Sequence, residues 1–363
     1  MRKHLKSCGL LFSLLISFGC TQTDGGIEVG LVESISERIF EVHEKQQNVG
    51  VSVAISKNGN IIYDRQIGMA DLEHSVKVSD STRFGVASIT KLVTAIAVLE
   101  LANMNKLDLD LPIQTYVPTY PQKAEGDITL RMLLTHTSGI PHPSNRTPEL
   151  FATHFETATD AVAFFADDEL LFAPGSDSKY SSTNYNLLAA AIEGVTGEAF
   201  NDYITREIFD HLGLMNTSFD NVLRTSHNRT ERYSFYHPRT YAESTELYLV
   251  PKWDYSFNPG GGNIISTPFD LVSFAEAIMQ PGYLSEKSYE YLYSEELFGS
   301  VDSAAGSYIS VTGANPGLQA GLAVFPEQKI AVAVLSNTWG LGSRSAEMVL
   351  LAKEIALLVI KGV

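Results

Sequence analysis

The stretch FGVASITKLVTAIAVLE, residues 84–100, joins an apolar helical run to two polar side chains near its start. Ser88 and Lys91 are three residues apart, so on a helix their side chains are neighbours on one face. At the start of a helix the serine also lies among free backbone N–H groups. These features suit a nucleophile with an amine beside it to take its proton. Taken alone, the pair fits equally well a helix cap followed by a lysine that extends its ammonium to solvent.

Strand patterns lie on both sides of this helix, towards the two ends of the chain. Residues 50–71 contain two β-branched runs joined by KNGN, which is a strong hairpin signal. Residues 317–338 predict a second hairpin that turns at PEQK, and residues 108–255 show mainly helical and loop patterns. The patterns predict an α+β fold. One antiparallel sheet is built from both ends of the chain and flanked by helices, beside an all-helical lobe at about 108–255, with the active site in the cleft between them.

A second Ser-x-x-Lys, from Ser176 to Lys179, lies in the polar loop APGSDSKY, so the spacing alone is weak evidence. Stronger evidence comes from motifs that follow the Ser88 helix in order: LLTHTSGIPH, YSSTNY, PGGGNIISTP and VTGANPG. In this order they resemble the serine β-lactamase and penicillin-binding-protein superfamily. The closest likeness is to its branch of class C β-lactamases, D-alanyl-D-alanine carboxypeptidases and esterases. The resemblance covers the chain from about residue 30 to its end.

The resemblance implies a role for each residue that matches a motif. Ser88 is expected to be the acyl-accepting nucleophile, Lys91 its activating base, and Tyr180 the phenol that passes a proton to the leaving group. The backbone N–H groups of Ser88 and Ala314 are expected to form the oxyanion hole. The expected substrate-binding residues are Ser182, Thr312 and Gly313.

Two positions depart from the pattern of the superfamily. Ser182 stands where many relatives have Asn, and this change is expected to weaken a contact to the substrate amide or to Lys91. Val311 stands where relatives usually have Lys or His before Thr-Gly. Valine cannot bind a carboxylate, and it cannot help to hold Tyr180 ionised. The change argues against efficient hydrolysis of β-lactams and of D-alanyl-D-alanine peptides, because both carry a carboxylate at that place.

The N-terminus has the pattern of an export signal. A basic segment is followed by an apolar run too short for a spanning helix, and then by Cys20. We interpret residues 1–20 as a lipoprotein-type signal peptide with lipidation at Cys20, although Ser17 departs from the usual signal; a simply cleaved or an uncleaved segment is the alternative. Residues 21–30 are interpreted as a linker and residues 31–363 as the hydrolase domain. The expected location is the cell envelope or periplasm.

Charge and cysteine content narrow the class of protein. Without residues 1–20 the chain has 23 basic and 42 acidic residues, a net charge of −19. Such a surface repels nucleic acid and anionic lipid headgroups, so we expect no nucleic-acid partner and contact with a membrane only through the lipid anchor. Both cysteines, Cys8 and Cys20, lie in the signal segment, which excludes a thiol nucleophile or disulfide in the domain. We expect no metal and no organic cofactor, because the histidines are scattered and no His-Glu-x-x-His occurs.

Three further features have open or structural interpretations. His136 is expected to buttress the helical lobe, whereas His142 could equally line the cleft or lie at the surface. PGGGN, residues 259–263, is interpreted as tight backbone packing because it lacks the pattern of a phosphate loop. Residues 233–257 are rich in aromatic side chains within a predicted loop, which forms either the wall of an apolar acyl pocket or a patch between the lobes.

These observations predict an exported serine hydrolase that forms an acyl-enzyme at Ser88 and acts on a small-molecule or peptide ester or amide. Its type is that of an esterase, a D-amino-acid peptidase or a β-lactamase. The alternative from a different class is a non-catalytic envelope binding protein that retains the fold, which Val311 and Ser182 favour. An α/β-hydrolase is disfavoured because the chain has no Gly-x-Ser-x-Gly.

Overall fold

The computed structural model describes residues 28–143, 148–237, 240, 242–302, 305–342 and 345–362. The signal segment 1–20, with Cys20, and most of the linker lie outside these residues. The described strands are β1 Gly50–Lys57, β2 Asn60–Asp71, β3 Val76–Lys77, β4 Phe84–Gly85, β5 Ser218–Phe219, β6 Tyr233–Tyr236, β7 Glu243–Leu249, β8 Ile264–Ser266, β9 Gly299–Asp302, β10 Gly306–Asn315, β11 Leu318–Phe325, β12 Ile330–Ser336 and β13 Thr338–Trp339.

The helices are distributed along the whole described chain. They are α1 Val29–Gln46, α2 Thr90–Asn103, α3 Leu130–Leu134, α4 Pro148–Ala152, α5 Ala158–Val162, α6 Ser182–Thr196, α7 Phe200–Ile204, α8 Pro259–Gly262, α9 Pro268–Met279, α10 Glu286–Leu292 and α11 Glu347–Lys361. A π-helical segment, Thr205–Asp210, continues α7. No helix in the described ranges has both the length and the apolar character needed to cross a bilayer.

The central sheet is antiparallel and has the strand order β3-β2-β1-β12-β11-β10-β9. Its middle joins the two ends of the chain, because β1 pairs with β12 from Val51 opposite Ser336 to Lys57 opposite Ile330. The predicted α+β fold, with one antiparallel sheet built from both ends of the chain, is therefore confirmed. The two hairpins predicted at KNGN and PEQK are β1–β2 and β11–β12.

Two apolar cores cover the two faces of this sheet. One core joins the sheet to α1 and α11 and contains Ile35, Val53, Val332 and Ile355. The larger core lies on the other face and joins the sheet to α2, α6 and α9. The α2 helix is buried along almost its entire length, which explains why its sequence is apolar on all sides rather than on one stripe.

The helical region contains more strand than the sequence patterns predict. Strand β6 pairs antiparallel with β7, in a stretch where the sequence predicts a loop. Most of β7 is exposed, so its sequence lacks the apolar alternation that marks a half-buried strand. Two other short strands, β5 and β8, pair with each other, and β8 also pairs with β4, directly before the Ser88 segment.

Strand β10 approaches the Ser88 segment so closely that only glycine fits at residue 313. A Cβ on Gly313 would collide with the carbonyl oxygen of Val86. Backbone atoms cannot move aside as a flexible side chain can, so the contact fixes the distance between the sheet edge and the start of α2.

The substitution Gly313→Ala is therefore expected to lower the free energy of unfolding by about 2 kcal/mol or more, because the new methyl group forces the two backbones apart. Urea unfolding monitored by circular dichroism measures the change. Gly30→Ala in α1 is the matched control, since a Cβ there meets nothing within 4 Å. It should leave stability unchanged or raise it slightly, as expected for alanine in a helix. Equal losses in both variants would contradict the close contact at residue 313.

Candidate active site

The Ser88 hydroxyl lies at a tight turn where the chain enters α2. Residues Ala87–Ile89 form one 3₁₀ turn, and Ile89 N–H donates to the Val86 carbonyl at 3.2 Å. Ala87 has a φ of 43°, in the left-handed region that residues with a Cβ rarely adopt. Such a conformation stores about 1 kcal/mol or more and persists only where the surroundings enforce it. The strain at Ala87 aims the next residue, Ser88, out of the helix start and towards the sheet edge.

The Lys91 side chain is buried, with 2% of the residue exposed, and its amine lies among oxygen atoms of the site. The Nζ atom lies 3.1 Å from Ser88 Oγ, 3.0 Å from Ser182 Oγ and 2.6 Å from the Gly261 carbonyl oxygen. A lysine amine is tolerated away from water only when partners replace its hydration, and these three oxygens do so. The substitution at Ser182 was expected to weaken a contact to Lys91, but the serine hydroxyl retains that contact.

The Tyr180 hydroxyl lies 2.7 Å from Ser88 Oγ. Burial raises the pKa of this phenol, but the Lys91 charge and hydrogen bonds with Lys91, Ser88 and Ser182 outweigh burial, so the pKa lies below its usual value of about 10. The Lys91 ammonium alone therefore favours the ionised form of Tyr180. The loss of the cation at Val311 does not leave the phenol without electrostatic support.

The glycine-rich segment predicted to pack tightly does so, between α2 and α6. A Cβ on Gly260 would collide with the Tyr185 carbonyl oxygen. The Gly260 carbonyl accepts from Thr94 Oγ1 at 2.7 Å, while the next carbonyl, that of Gly261, accepts from Lys91. Sequence reasoning found the close packing but missed the Gly261 carbonyl as a lysine partner. A backbone acceptor leaves no trace in the residue type beyond the run of glycines.

Two histidines hold the start of α6. The Nδ1 atom of His136 accepts the Ser181 N–H at 3.3 Å, and that of His142 accepts the Ser182 N–H at 3.1 Å. The Ser181 side chain makes no cap of its own, so the imidazoles satisfy N–H groups that the helix leaves open. The structural role expected for His136 agrees with this contact. His142 likewise contacts the helix start, with its ring centroid 5.8 Å from that of Tyr180.

Strand β10 carries the remaining predicted site residues. Val311 is buried in the larger core on the same strand face as Gly313, which meets the Ser88 segment. The Thr312 hydroxyl donates to the Ser345 carbonyl at 2.7 Å, so this donor has a protein partner. Ala314 lies opposite Gln319 of β11. In the described residues β9 pairs with β10 only up to Ile309, which leaves the outer edge of β10 beyond it without a strand partner.

The structure therefore brings Ser88, Lys91, Tyr180 and Ser182 into one hydrogen-bonded group and places β10 beside it. The second Ser-x-x-Lys is unlike the first, because Ser176 and Lys179 lie exposed on a loop. A cavity of about 670 Å³ lies at the far end of α2, where its lining includes Asp110 and Arg131. The lining begins at Leu99, eleven residues after Ser88, so this cavity lies away from the grouped side chains.

The family comparison agrees with this geometry. The family model described as Beta-lactamase matches residues 35–357, which include every grouped side chain. The chain belongs to the Beta-lactamase family, a class of β-lactamase-fold serine hydrolases. The resemblance inferred from the motif order is confirmed.

Solved structures show the same fold at low sequence identity. D-amino acid amidase from Ochrobactrum anthropi SV3 is 23% identical, with a TM-score of 0.74 over 92% of this chain and 98% of that one. The octameric penicillin-binding protein homologue from Pyrococcus abyssi is 22% identical, with a TM-score of 0.74 over 90% of this chain and 77% of that one. A class C β-lactamase is 18% identical, with a TM-score of 0.72 over 92% of this chain and 98% of that one.

Curated relatives are more similar in sequence but longer. The mitochondrial serine β-lactamase-like protein LACTB of Mus musculus is 27% identical over 321 residues, covering 68% of this chain and 57% of that protein. Protein flp of Staphylococcus aureus strain N315 is 34% identical over 189 residues, covering 50% of this chain and 37% of that protein. The chain therefore matches little more than half the length of the first relative and about a third of the second.

Replacing Lys91 by Met is expected to raise the pKa of Tyr180, because the substitution removes the nearby positive charge. The measurement is a pH titration of ¹³Cζ-labelled tyrosine by NMR, with the Tyr180 signal assigned by comparison with Tyr180→Phe. Lys179→Met is the control, since this exposed lysine precedes Tyr180 in sequence but is not among the groups that lower its pKa. Equal shifts in both variants would show that Lys91 has no special influence.

The His136 contact predicts a dependence of stability on pH. Burial, with added repulsion from Lys91 and His142, lowers the His136 pKa to about 3. An unfolded histidine has a pKa of about 6.5, so the unfolded state binds more protons between those values. The contribution of His136 to stability is therefore complete above pH 6.5 and is lost progressively as pH falls towards 3.

The variant His136→Asn isolates this effect, because Asn keeps an acceptor near the Nδ1 position, tolerates the φ of 60° at residue 136 and does not titrate. The free energy of unfolding in urea should fall more steeply between pH 6.5 and 4 for the wild type than for the variant. Identical slopes would mean that His136 is not held neutral by the fold.

Proposed function

We propose that this chain is a serine hydrolase that transfers the acyl group of an ester or amide to water through an acyl-enzyme at Ser88. The observation that carries the proposal is the buried Lys91 amine, 3.1 Å from Ser88 Oγ. Any buried lysine amine needs oxygen partners, but here one of them is a serine hydroxyl that also contacts the Tyr180 hydroxyl. A lysine that exchanges a proton with a serine needs a defined position and a shielded environment.

Acylation begins when Ser88 Oγ attacks the substrate carbonyl carbon and its proton passes to the Lys91 amine. The tetrahedral oxyanion is held by the N–H groups of Ser88 and Ala314. When the bond to the leaving group breaks, Tyr180 gives its proton to the departing oxygen or nitrogen. The acyl-enzyme then holds a Tyr180 phenolate beside the Lys91 ammonium, so the serine proton is on Lys91 and the tyrosine proton is on the leaving group.

Deacylation uses the same groups. Tyr180, left as a phenolate beside the Lys91 ammonium and with its pKa below the usual value, accepts a proton from water as that water attacks the acyl carbon. That proton passes to Ser88 Oγ as the ester bond breaks, and the Lys91 ammonium then returns a proton to Tyr180, which restores the starting state. The 2.7 Å contact between the two side chains supports direct transfer. Ser182 and the Gly261 carbonyl keep Lys91 in place during both half-reactions.

The preferred substrates are esters or amides without a carboxylate beside the scissile bond. Val311 supports this choice, because an apolar side chain stands on the strand face that meets the Ser88 segment. Because one structural neighbour is named a D-amino acid amidase, amides of amino acids are the first substrates to test. Thr312 can take part only by exchanging its bond to Ser345, whereas Gly313 brings β10 against the Ser88 segment.

The location proposed for the enzyme is the cell envelope, with export through residues 1–20 and a lipid anchor at Cys20. The second candidate function is a binding protein that keeps the fold without turnover. Val311, buried where relatives usually have a cation, is the observation that favours it.

The deciding measurement is intact-mass spectrometry of the purified chain incubated separately with a fluorophosphonate, a penicillin and a short-chain aryl ester. We expect one adduct from the phosphonate, transient acylation by the ester and no adduct from penicillin. A penicillin adduct would redirect the substrate class to peptidoglycan-like peptides. The absence of any adduct from a folded chain would reject the hydrolase and leave the binding protein.

Two variants locate the labelled atom. Ser88→Ala should abolish labelling. Ser176→Ala, in the exposed second Ser-x-x-Lys, should label like the wild type, because the Ser176 hydroxyl donates to the Ala173 carbonyl and has no buried amine beside it. Loss of labelling in both variants would contradict the assignment to Ser88.

A further inference from the structure

A cavity of about 450 Å³ lies beside the candidate active site, against the start of α6. His142 and Thr183 are among its lining residues. His142 Nδ1 accepts the N–H of Ser182 at 3.1 Å, and the Ser182 hydroxyl lies 3.0 Å from Lys91 Nζ. The wall of the cavity is therefore two hydrogen bonds from the amine that contacts Ser88.

The body of this cavity is apolar. Leu150, Phe165 and Phe257 are buried side chains of its lining, and Phe164 lies at its rim with 48% of the residue exposed. Aromatic walls and a volume of this size suit a phenyl ring or a branched alkyl group.

The wall that carries Phe257 is fixed by contacts outside the cavity. Phe257 packs with Phe151, whose ring stacks on Trp253 with centroids 4.8 Å apart. The same segment is bound to the chain after α4 by the contact of His154 Nδ1 with Asp254 Oδ2 at 2.7 Å. A wall held by both stacking and a hydrogen bond is formed before a ligand arrives.

One polar side chain of the lining lacks a full set of partners. Asn186 is 3% exposed, and its Nδ2 donates to the Phe257 carbonyl at 2.6 Å. That bond determines which end of the amide is nitrogen, so the other end is an acceptor. Oδ1 of Asn186 is buried and has no hydrogen-bond partner in the described part of the chain. A buried acceptor of this kind favours a ligand that supplies an N–H.

The charges of the lining have one sign. Asp168 and Glu169 contribute carboxylates, and no lysine or arginine occurs among the described lining residues. The nearby Lys123 ammonium is held by the carbonyl oxygens of Ala166 and Asp168, at 2.7 and 2.8 Å. The cavity therefore attracts a cation and disfavours a carboxylate.

We propose that this cavity is the subsite for the acyl group of the substrate and that it takes a bulky apolar group bearing a protonated amine. The apolar walls hold the body of the group, while Asn186 and the two carboxylates bind the amine. Its assignment to the acyl group rests on the proposed hydrolase function, whereas its ligand chemistry rests on the lining alone.

Calorimetric titration of the purified full chain tests the ligand chemistry without turnover. The probes are 4-phenylbutylamine, 4-phenylbutyrate and butylamine. We expect 4-phenylbutylamine to bind at least tenfold more tightly than either of the others, because only this probe combines a ring with an ammonium. Equal affinity for 4-phenylbutylamine and 4-phenylbutyrate, or no binding of either one, would overturn the proposal.

Substitutions in the lining test whether the probe binds in this cavity. Phe164→Ala at the exposed rim and Asn186→Leu in the wall should each weaken 4-phenylbutylamine at least tenfold. Phe40→Ala, which removes an exposed aromatic ring from α1 on the other side of the sheet, is the matched control and should bind like the wild type. Because Phe164 is largely exposed, its variant is expected to fold even if that of Asn186 does not. Full affinity in Phe164→Ala would place the probe elsewhere and overturn the assignment.

Kinetics with 4-nitrophenyl esters then separate this subsite from the hydrolase function. The value of kcat/KM should be more than tenfold higher for an ester whose acyl group ends in an aminomethylphenyl ring than for the acetate ester. This preference should fall in Phe164→Ala. Ester turnover at Ser88 without that preference would overturn the subsite and leave the hydrolase. Binding of 4-phenylbutylamine with no turnover of any ester would leave the subsite and reject the hydrolase.

Discussion

The contact between the buried Lys91 amine and its three oxygen partners joins the elements on which the site depends. Ser88 belongs to the entry of α2, Ser182 to the start of α6, and Gly261 to the glycine-rich turn between them. The amine satisfies all three only if these backbones approach closely, and residues without a Cβ at 260 and 313 permit that approach. Removing one partner would leave a buried polar group without a hydrogen bond. The close packing of the three backbones and the position of the Lys91 amine therefore depend on each other.

The electrostatics of the site follow from the number of cations present. With an apolar side chain at 311, Lys91 supplies the charge that lowers the pKa of Tyr180 against the effect of burial. The neighbouring imidazole of His136 is held neutral mainly by burial, and the same positive charge adds to that effect. One amine thus favours the Tyr180 phenolate and disfavours the His136 imidazolium, and the positive field that would attract a carboxylate substrate is reduced.

The sequence predicted the local features of the fold, namely the Ser88 helix and the two hairpins. The order of its motifs predicted the family. Ser88 and Lys91 meet because a helix turn brings residues three apart together, and the KNGN and PEQK turns mark their hairpins by residue type. The strained φ of Ala87 was not predictable, because left-handed backbone is normally signalled by glycine. The Gly261 carbonyl, the histidine contacts to α6 and the β6–β7 hairpin were also missed. The Gly261 and histidine contacts depend on packing between segments that are distant in sequence. The exposed β7 strand lacks the apolar alternation that would predict it.

The pairing of β1 with β12 has a consequence for how the molecule is made. Val51 and its partner Ser336 are 285 positions apart, so the middle of the sheet closes only after almost the whole chain has been synthesised. Contacts so distant in sequence make folding slow, because a long loop must be ordered before the pairing stabilises it. A nascent or truncated chain that stops before residue 330 exposes the free edge of β1, which invites pairing with other chains. The hydrogen-bonded group around Lys91 is thus completed last, when the C-terminal hairpin brings β10 to the entrance of α2.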